Sequence, residues 1–441
     1  MRNERYQSWG RYPRADHKVR KILWRSDLLP VVSQGDSYLL PFGNGRSYGD
    51  SCLNDGHTLL DTRELDRLVS FDAEKGVLCC EAGTLLCDLF PLIIPKGWFV
   101  PVTPGTQFVT VGGAIANDVH GKNHHRAGTF GCHVRRFELL RSDGKRALCS
   151  PEENADWFKA TIGGLGLTGV ITWAEIQLRP IPGSWIDAEN IHFSNVDEFF
   201  DLSTQSDREY EYTVGWVDCM AKGKALGRGI FTRGNHATSS LSGRPPIASR
   251  LLAVPFDLPS ALLNAFTIAA FNFAYYHSHL RRHTRSLMHF EPFFYPLDAI
   301  QDWNRAYGRN GFLQYQCVVP LEDGEPAVRE ILEMTSHAGE GSFLGVLKIF
   351  GARKSPGLMS FPREGITLAL DFPIRGQRTY LLLDQIDKIV ERAGGAVYPA
   401  KDARMSTQSF QRYFPQWKAF RAYIDPRFSS SFWRRVTADK T

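Results

Sequence analysis

Residues 103–131, "TPGTQFVTVGGAIANDVHGKNHHRAGTFG", join a glycine-rich run to a histidine-rich end. Six glycines punctuate the stretch, and Ala114 and Ala116 keep the side chains between them small. A glycine has no Cβ, so its backbone can approach a ligand or a neighbouring segment closely. This pattern predicts a backbone that lies against a large planar ligand. Because the stretch also contains histidines and a lysine, a metal site and an acid–base site are the alternatives.

Two further glycine-rich segments flank this stretch along the chain. "PFGNGRSYGD", residues 41–50, follows a short strand-like run, and "GGLGLTGVI", residues 163–171, leads into another. Successive backbone N–H groups in such loops bind anions, and Arg46 and Ser47 add a positive charge and a hydroxyl donor. Neither segment is a dinucleotide fingerprint or a Walker A loop, and each alone could be a plain turn. Together the three loops predict a cofactor with a diphosphate and an extended ring.

The histidines could bind a metal, act in acid–base catalysis, or be ordinary polar residues of a loop. Zinc sites use a closed or nearly closed set of ligands from fixed elements. The adjacent His124 and His125 would point to opposite sides of an extended segment, and no acidic or cysteine pair completes a set. We therefore predict no metal, and we expect His124 and His125 to satisfy backbone groups. His120, beside Gly121 and Lys122, is the functional candidate.

Length, charge and cysteine usage limit the class of protein. A chain of 441 residues is long enough for two domains. The net charge of +5, from 52 basic and 47 acidic residues, is too small to predict nucleic-acid binding, although it suits an anionic substrate or membrane surface. Eight cysteines without a CxxC pair predict reduced thiols in the cytoplasm. The N-terminus has no apolar signal region, and no apolar run reaches the ~18–20 residues that span a bilayer.

Glycines, prolines and apolar runs divide the chain into two parts. Residues 36–180 read as short strands with helices at Leu85–Lys96 and Asp156–Thr161, which predicts α+β or α/β packing. "RPIPG", ending at Gly183, is a domain boundary of the usual composition. Beyond it, "YTVGWVDCMA", "FLQYQCVVPL" and "GITLALDFPI" predict strands, and Arg378–Ala393 predicts a helix that ends at two glycines.

Residues 246–290 are unusual within the second part. From Ser260 to Tyr276 the segment is apolar on nearly every helical face, and Arg281, Arg282 and Arg285 follow. One interpretation is a buried helix of the second domain. The other is a lid or membrane-surface element with a basic flank.

The three glycine-rich motifs together resemble the vanillyl-alcohol-oxidase type of FAD-linked oxidases, and within that family the oxidases of polyprenylphosphoryl-ribose. Later motifs follow in the order of that family: "WNRAYG" (303–308), "FLQYQ" (312–316), "LKIFG" (347–351), "DFPI" (371–374) and "VYPAKDAR" (397–404). The resemblance covers most of the chain, and residues 190–290 match least clearly. One departure is Ala369, where mycobacterial members carry a cysteine, so inhibitors that attack that thiol should not act here.

The resemblance implies an α+β, two-domain FAD-linked oxidase. Residues 1–182 and a C-terminal return, 395–441, would form a PCMH-type FAD-binding domain. Residues 183–394 would form an antiparallel-sheet substrate domain, with 246–290 as the lid or membrane-surface segment. Related oxidases attach the flavin to a histidine at the position of Tyr48, so FAD should bind noncovalently. The implied FAD contacts are Pro41, Phe42, Gly43, Asn44, Gly45, Arg46, Ser47, Tyr48, Gly49, Asp50, Ser51, Gly105, Thr110, Val111, Gly112, Gly113, Asn117, Asp118, Val119, His120, Ile171 and Tyr398.

The same resemblance implies the catalytic and substrate-binding residues. Oxidation of an alcohol moves a hydride to the flavin and a proton to a base. Lys401 would stabilise negative charge at the flavin or hydrogen-bond the sugar hydroxyl, and His120 would share in catalysis from the opposite wall. Gln314 and Gln316, two apart on a strand, would present both amides to a polyol. The implied substrate-binding residues are Lys122, Trp216, Gln314, Gln316, Lys348 and Lys401, with core packing as the alternative for Trp216.

The expected reaction is oxidation of the 2'-hydroxyl of a polyprenylphosphoryl-β-D-ribose to the 2'-ketone, the first half of an epimerisation to an arabinose donor. A separate NAD(P)H-dependent short-chain reductase would complete it. The chain would be cytoplasmic or peripheral at the inner face of the plasma membrane. An FAD-dependent oxidase of a soluble sugar or aldonolactone, and a nonredox zinc- or glycan-binding protein, are the alternatives.

Overall fold

The computed structural model describes residues 6–238, 252–259, 262–278 and 281–438. Their strands are β1 Lys18–Lys21, β2 Leu39–Phe42, β3 Thr58–Asp61, β4 Leu68–Asp72, β5 Val77–Glu81, β6 Trp98–Phe99, β7 Val134–Leu140, β8 Arg146–Cys149, β9 Val170–Gln177, β10 Arg179–Pro180, β11 Trp185–Phe193, β12 Tyr212–Val217, β13 Gly229–His236, β14 Leu252–Ala253, β15 His283–His289, β16 Ile300–Gln301, β17 Phe312–Val319, β18 Gly345–Phe350, β19 Gly365–Pro373 and β20 Ala396–Val397. Their α-helices are α1 Leu28–Ser33, α2 Leu86–Ile93, α3 Val111–Ala116, α4 His124–Ala127, α5 Ala155–Thr161, α6 Val196–Ser206, α7 Ala265–His277, α8 Phe290–Phe294, α9 Leu321–Ala338, α10 Gln377–Arg392, α11 Thr407–Tyr413, α12 Trp417–Phe420 and α13 Ser431–Thr437.

The N-terminal part contains two sheets. A three-stranded sheet has the order β1-β3-β2 with both pairs parallel, and a five-stranded antiparallel sheet has the order β4-β5-β9-β7-β8. Buried Leu78, Phe137 and Ile176 belong to the core of the larger sheet, which also includes residues of α2 and α3. The helices predicted at Leu85–Lys96 and Asp156–Thr161 are confirmed as α2 with a following 3-10 turn, and as α5.

An eight-stranded antiparallel sheet dominates the second part of the chain. Its order is β15-β11-β13-β12-β18-β19-β17-β20. In α9, Val328, Ile331, Leu332 and Thr335 are buried at the i, i+3, i+4 and i+7 spacing of an amphipathic helix, so α9 and α10 pack against one face of this sheet. The predicted α+β class and the antiparallel substrate-domain sheet are confirmed.

The C-terminal segment joins the two parts. Strand β20 pairs with β17 and so still belongs to the large sheet. Directly after it, the Ala400 carbonyl accepts a 2.8 Å hydrogen bond from the Tyr48 amide of the first glycine-rich loop. Arg435 of α13 forms ion pairs with Asp50 and Asp402. The return that the resemblance implied therefore contacts the N-terminal loop, and the 394/395 boundary stays a prediction.

The apolar segment before residue 278 forms a surface helix, α7. Only Ile268 and Asn272 of this helix are buried, while Phe266 is 82% exposed and Phe273 is 55% exposed. The interpretation as a buried helix is therefore wrong. The Asn272 amide donates to Asp218 Oδ1, at 3.0 Å, and to a backbone carbonyl, which fixes the helix to the large sheet at a polar position.

Parts of the predicted 246–290 segment, 246–251, 260–261 and 279–280, lie outside the described residues. Two of the arginines predicted as a basic flank are ion-paired, Arg282 with Glu198 and Arg285 with Asp187. Within the described ranges, no helix is long and apolar enough to cross a bilayer. All eight cysteines are free thiols.

Candidate active site

A cavity of about 900 Å³ lies between the glycine-rich segments and one face of the eight-stranded sheet. It brings together most of the residues that the sequence predicted. The predicted residues on its wall are Pro41, Gly43, Asn44, Gly45, Arg46, Ser47, Tyr48, Ser51, Gly105, Thr110, Gly112, Gly113, Asn117, Val119, His120, Lys122, Ile171, Trp216, Gln314, Gln316, Lys348, Tyr398 and Lys401.

Five of the predicted cofactor contacts, Phe42, Gly49, Asp50, Val111 and Asp118, are not on the wall of this cavity. Phe42 and Val111 are core residues, and Asp50 is ion-paired with a C-terminal arginine. A Cβ on Gly49 would lie 1.6 Å from the Asp402 carbonyl oxygen, so Gly49 serves chain packing. Asp118 accepts hydrogen bonds from the Gly131 amide and two serines. These five residues support the wall, and their contact with the cofactor stays a prediction.

The first glycine-rich loop provides polar groups without protein partners. Gly45 has a φ of +60°, and the neighbouring Arg46 guanidinium lies 4.1 Å from the ring centroid of Trp9. Arg46 Nε and Ser51 Oγ are buried and have no hydrogen-bond partner among the described residues. Buried polar atoms are rarely left unpaired, so this end of the cavity suits a ligand rich in acceptors, such as a diphosphate.

Part of the opening motif forms a short helix, α3. Thr110 caps it by accepting a 3.1 Å hydrogen bond from the Gly113 amide. A Cβ on Gly112 would lie 2.9 Å from the Ala82 Cβ, and one on Gly43 would lie 2.4 Å from Thr110 Oγ1. The glycines therefore allow close contact between this helix, the neighbouring strand and the first loop. Gly112 and Gly113 both reach the cavity wall, as a planar ligand would require.

Three neighbouring strands present polar side chains to the opposite side of the cavity. Gln316 on β17 lies opposite Ala369 on β19, and Thr367 lies opposite Lys348 on β18. Alternate residues of a strand share a face, so Gln314 and Gln316 point the same way, and both line the cavity as predicted. This side of the cavity therefore carries amide, hydroxyl and ammonium groups in adjacent positions.

Trp216 lies at the aromatic edge of the same cavity. Its Nε1 donates a 2.9 Å hydrogen bond to the Phe343 carbonyl, and its ring meets Tyr275 of α7 at 4.6 Å between centroids. Tyr275 and Phe271 also line the cavity, so α7 covers part of it. Core packing is therefore the wrong interpretation of Trp216.

His120 connects the α3 side of the cavity to the sheet. Its Nε2 lies 3.0 Å from Gln316 Nε2, and its Nδ1 lies 3.4 Å from Lys348 Nζ. Burial, and then the charges of Lys348 and its neighbours, hold the pKa of His120 well below its usual value. Burial also lowers the pKa of Lys348 to about 8 and that of Lys122 to about 7. Lys122 donates to the Phe293 carbonyl and lies 4.5 Å from the centroid of that ring.

The neighbouring His124 and His125 make contacts different from those of His120. They lie in the helix α4 rather than in an extended segment. His125 Nε2 lies 3.0 Å from the Tyr210 carbonyl oxygen, which confirms its predicted backbone contact. His124 packs against Phe350, and its ring nitrogens have no hydrogen-bond partner in the described part of the chain, so the same prediction is wrong for His124. No group of three metal-ligating side chains occurs among the described residues.

Lys401 lies next to an internal carboxylate. Its Nζ is 3.6 Å from the ring centroid of Tyr48. Burial lowers the pKa of Lys401 to about 7, while the nearby Asp371 opposes the shift and Lys348 adds to it. Asp371 is fully buried, and its carboxylate accepts hydrogen bonds from Gln314 Nε2 at 2.6 Å and from a tyrosine hydroxyl at 3.0 Å. Burial raises the pKa of Asp371 to about 7. A neutral amine next to the cavity can accept a proton from a ligand hydroxyl.

The structure adds residues that the sequence interpretation missed. Thr367 lines the cavity, and Asp371 and Tyr307 form the buried network behind Gln314. The signal was present in "GITLALDFPI", where Thr367, Ala369 and Asp371 alternate with leucines on one face of β19. The position of Tyr307 in this network could not be predicted from its motif, because it depends on tertiary packing. The Tyr307 ring stacks on that of Phe312, with 4.1 Å between the ring centroids.

Comparison with known proteins identifies the family of this chain. A family model described as an FAD binding domain matches residues 26–150. Decaprenylphosphoryl-β-D-ribose oxidase of Mycolicibacterium smegmatis is 36% identical over 98% of this chain and 97% of its own. Mouse L-gulonolactone oxidase is 29% identical over 40% of each chain, and cytokinin dehydrogenase 9 of rice is 32% identical over 28% of this chain and 23% of its own. FAD is thus the cofactor, and the chain belongs to the family of FAD-linked oxidases that includes decaprenylphosphoryl-β-D-ribose oxidase.

Proposed function

We propose that the chain oxidises the 2'-hydroxyl of a polyprenylphosphoryl-β-D-ribose to the 2'-ketone. The observation that carries this proposal is one cavity whose wall combines the glycine-rich loops and the polar face of the large sheet with Lys122, Lys348 and Lys401. Such a set of cations suits a ligand that combines a phosphate with sugar hydroxyls. The relative that matches nearly the whole chain is named for a substrate of this class.

FAD, when bound, supplies the hydride acceptor for alcohol oxidation. The residues of the first loop and of α3 would hold it noncovalently, with Tyr48 beside Lys401. Gln314 and Gln316 would orient the sugar, and Lys122 would bind its phosphate. Lys401 would accept the hydroxyl proton, since a pKa of about 7 leaves a useful fraction of its amine neutral near neutral pH.

This assignment predicts how the rate of flavin reduction depends on pH. Lys401 accepts a proton only when it is neutral, so the rate should fall as the pH drops through about 7. Asp371 raises the pKa of Lys401, and Asp371→Asn should therefore move the midpoint of this fall to lower pH. Stopped-flow flavin reduction across pH measures both midpoints. Asp387→Asn, at a partly buried carboxylate that also has a raised pKa and is absent from the cavity wall, is the matched control and should leave the midpoint in place. A midpoint that moves upward in Asp371→Asn contradicts the assignment.

A lipid-linked substrate also gives the exposed face of α7 a role. We propose that this face rests in the interfacial region of a membrane, next to the cavity edge that its inner residues form. Phe266 and Phe273 are more than half exposed on this helix, which is costly in water and favourable in lipid. Because two flanking arginines are already ion-paired, apolar contact should contribute more than lipid charge.

The double variant Phe266→Ser/Phe273→Ser should weaken binding to phosphatidylcholine–phosphatidylglycerol vesicles at least about tenfold. Full burial of one phenylalanine side chain contributes about 1.5–3 kcal/mol, and about 1.4 kcal/mol is a factor of ten. Cosedimentation with the vesicles measures the change. Leu381→Ser, at an equally exposed apolar residue of α10, is the control and should bind as the parent does. If Leu381→Ser weakened vesicle binding as much as the double variant does, the membrane contact would not lie at the exposed face of α7.

The ketone product requires a second enzyme for epimerisation, and we propose a separate NAD(P)H-dependent short-chain reductase as that partner. The test of function is product analysis with a dye as electron acceptor. Polyprenylphosphoryl-ribose should yield a product that borodeuteride labels at C2', whereas an aldonolactone should not be turned over. Preferential oxidation of the aldonolactone would contradict the proposal.

A further inference from the structure

The side-chain network around His120 is anchored by a residue outside the predicted site, Thr367. The Thr367 hydroxyl has one hydrogen, and it donates this to the Cys317 carbonyl at 2.8 Å. Thr367 Oγ1 can therefore only accept from Gln316, whose nearer side-chain atom lies 3.2 Å away. An amide oxygen in that position would face another acceptor. The orientation of the Gln316 amide is thus determined by a backbone carbonyl, through Thr367.

The same amide nitrogen determines the proton position on His120. Gln316 Nε2 lies 3.0 Å from His120 Nε2 and carries a second hydrogen for it. His120 Nε2 must then accept, and the ring proton of the neutral imidazole must lie on Nδ1. Nδ1 faces Lys348 Nζ at 3.4 Å. Lys348 is therefore the acceptor at the end of the network when its amine is neutral, above its pKa of about 8.

We propose that Thr367 is a positioning residue, which holds Gln316 in one amide orientation and thereby holds His120 as its Nδ1–H tautomer with Lys348 as acceptor. Both ring nitrogens of His120 are then engaged with protein groups. His120 consequently orients the site and does not take the proton of the sugar hydroxyl, which leaves Lys401 as the acceptor. This role for His120 rests on the proposed function, whereas the tautomer itself does not.

Positive charges around the pair lower the pKa of His120 and so favour its neutral ring. His124, Lys122 and Lys401 are the further titratable groups whose charges act on His120 or Lys348. An ammonium at Lys348 would donate to Nδ1 and would require the ring proton on Nε2, where the Gln316 amide already donates. Without the Thr367 hydroxyl, the Gln316 amide can flip so that its oxygen faces His120 Nε2. That nitrogen then carries the ring proton, which gives the Nε2–H tautomer.

The experiment is nitrogen NMR of the FAD-loaded protein with ¹⁵N-labelled histidine, with His120→Gln used to assign the signal. Above about pH 8, where Lys348 is neutral, the parent and Thr367→Ser, which keeps the hydroxyl, should show a protonated Nδ1. Thr367→Val, which keeps the shape of the side chain, should show a protonated Nε2. A protonated Nε2 in the parent, or a protonated Nδ1 in Thr367→Val, overturns the proposal. If Thr367→Val does not fold, the parent spectrum alone decides.

Kinetics separate this inference from the proposed function. Flavin reduction by polyprenylphosphoryl-ribose should be about tenfold slower in Thr367→Val, the equivalent of one hydrogen bond, and unchanged in Thr367→Ser. A tautomer change without any reduction by the lipid-linked ribose overturns the proposed function and keeps the role of Thr367. Reduction at the parental rate in Thr367→Val overturns the role of Thr367 and keeps the function.

Discussion

Lys401→Ala should slow flavin reduction by polyprenylphosphoryl-ribose by about a hundredfold to ten-thousandfold, the range that one positioned acid or base contributes. The amine lies at the cavity wall, 3.6 Å from the Tyr48 ring centroid. Burial lowers its pKa to about 7, so part of the Lys401 amine is neutral and can accept a proton near neutral pH. Alanine removes the acceptor and leaves the hydroxyl without a base. Anaerobic stopped-flow absorbance of the flavin measures the rate constant.

Two controls separate this effect from loss of the cofactor or of the fold. Lys388→Ala, at an exposed lysine of α10, should reduce at the parental rate. The FAD content of Lys401→Ala should match that of the parent, since the first loop and α3 supply most of the implied cofactor contacts. A rate within about threefold of the parent, smaller than any acid–base contribution, would remove Lys401 from catalysis.

Arg435→Met should lower the free energy of unfolding by about 3–5 kcal/mol, because it leaves two buried carboxylates without their cation. Arg435 forms a bidentate pair with Asp50 and a further pair with Asp402, at 2.7 and 2.9 Å for its Nη2. These bonds tie α13 and the C-terminal return to the end of the first glycine-rich loop. The variant should therefore also release FAD at a lower urea concentration. Urea unfolding followed by tryptophan and flavin fluorescence measures both effects.

The chain offers a matched pair at the surface. Arg412 pairs with Glu391 at 2.9 Å and is half exposed, so Arg412→Met should cost about 1 kcal/mol or less. Adding Asp50→Asn to Arg435→Met should recover part of the lost stability, since it removes one uncompensated charge. Equal losses for the two arginines, or no recovery in the double variant, would show that the buried pair does not hold the return in place.

Much of the fold followed from local sequence patterns. Helix α10 begins and ends within one residue of the predicted Arg378–Ala393, because its apolar spacing and the two following glycines are local signals. The alternation around Gln314 and Gln316 placed both amides on one face of β17. The glycine-rich loops also met at one cavity, since the lack of a Cβ is useful mainly where backbone approaches another group.

Other features depend on contacts that no local pattern records. Asp50 belongs to the predicted diphosphate loop, yet it pairs with Arg435, 385 residues later in the chain. Helix α7 is apolar on nearly every face, which equally describes a core helix, and only the tertiary structure shows its phenylalanines exposed. His124 and His125 differ because a four-residue helix turns one toward Phe350 and the other toward a carbonyl.

Anaerobic mixing of the FAD-loaded protein with polyprenylphosphoryl-β-D-ribose tests the central claim most directly. The flavin absorption should bleach in a single turnover, and the same ribose without its prenyl-phosphate should bleach it far more slowly. Bleaching should be absent with the 2'-deoxy analogue, which lacks the hydroxyl to be oxidised. No bleaching by any polyprenylphosphoryl-pentose, or equal bleaching by the 2'-deoxy analogue, would contradict the assignment.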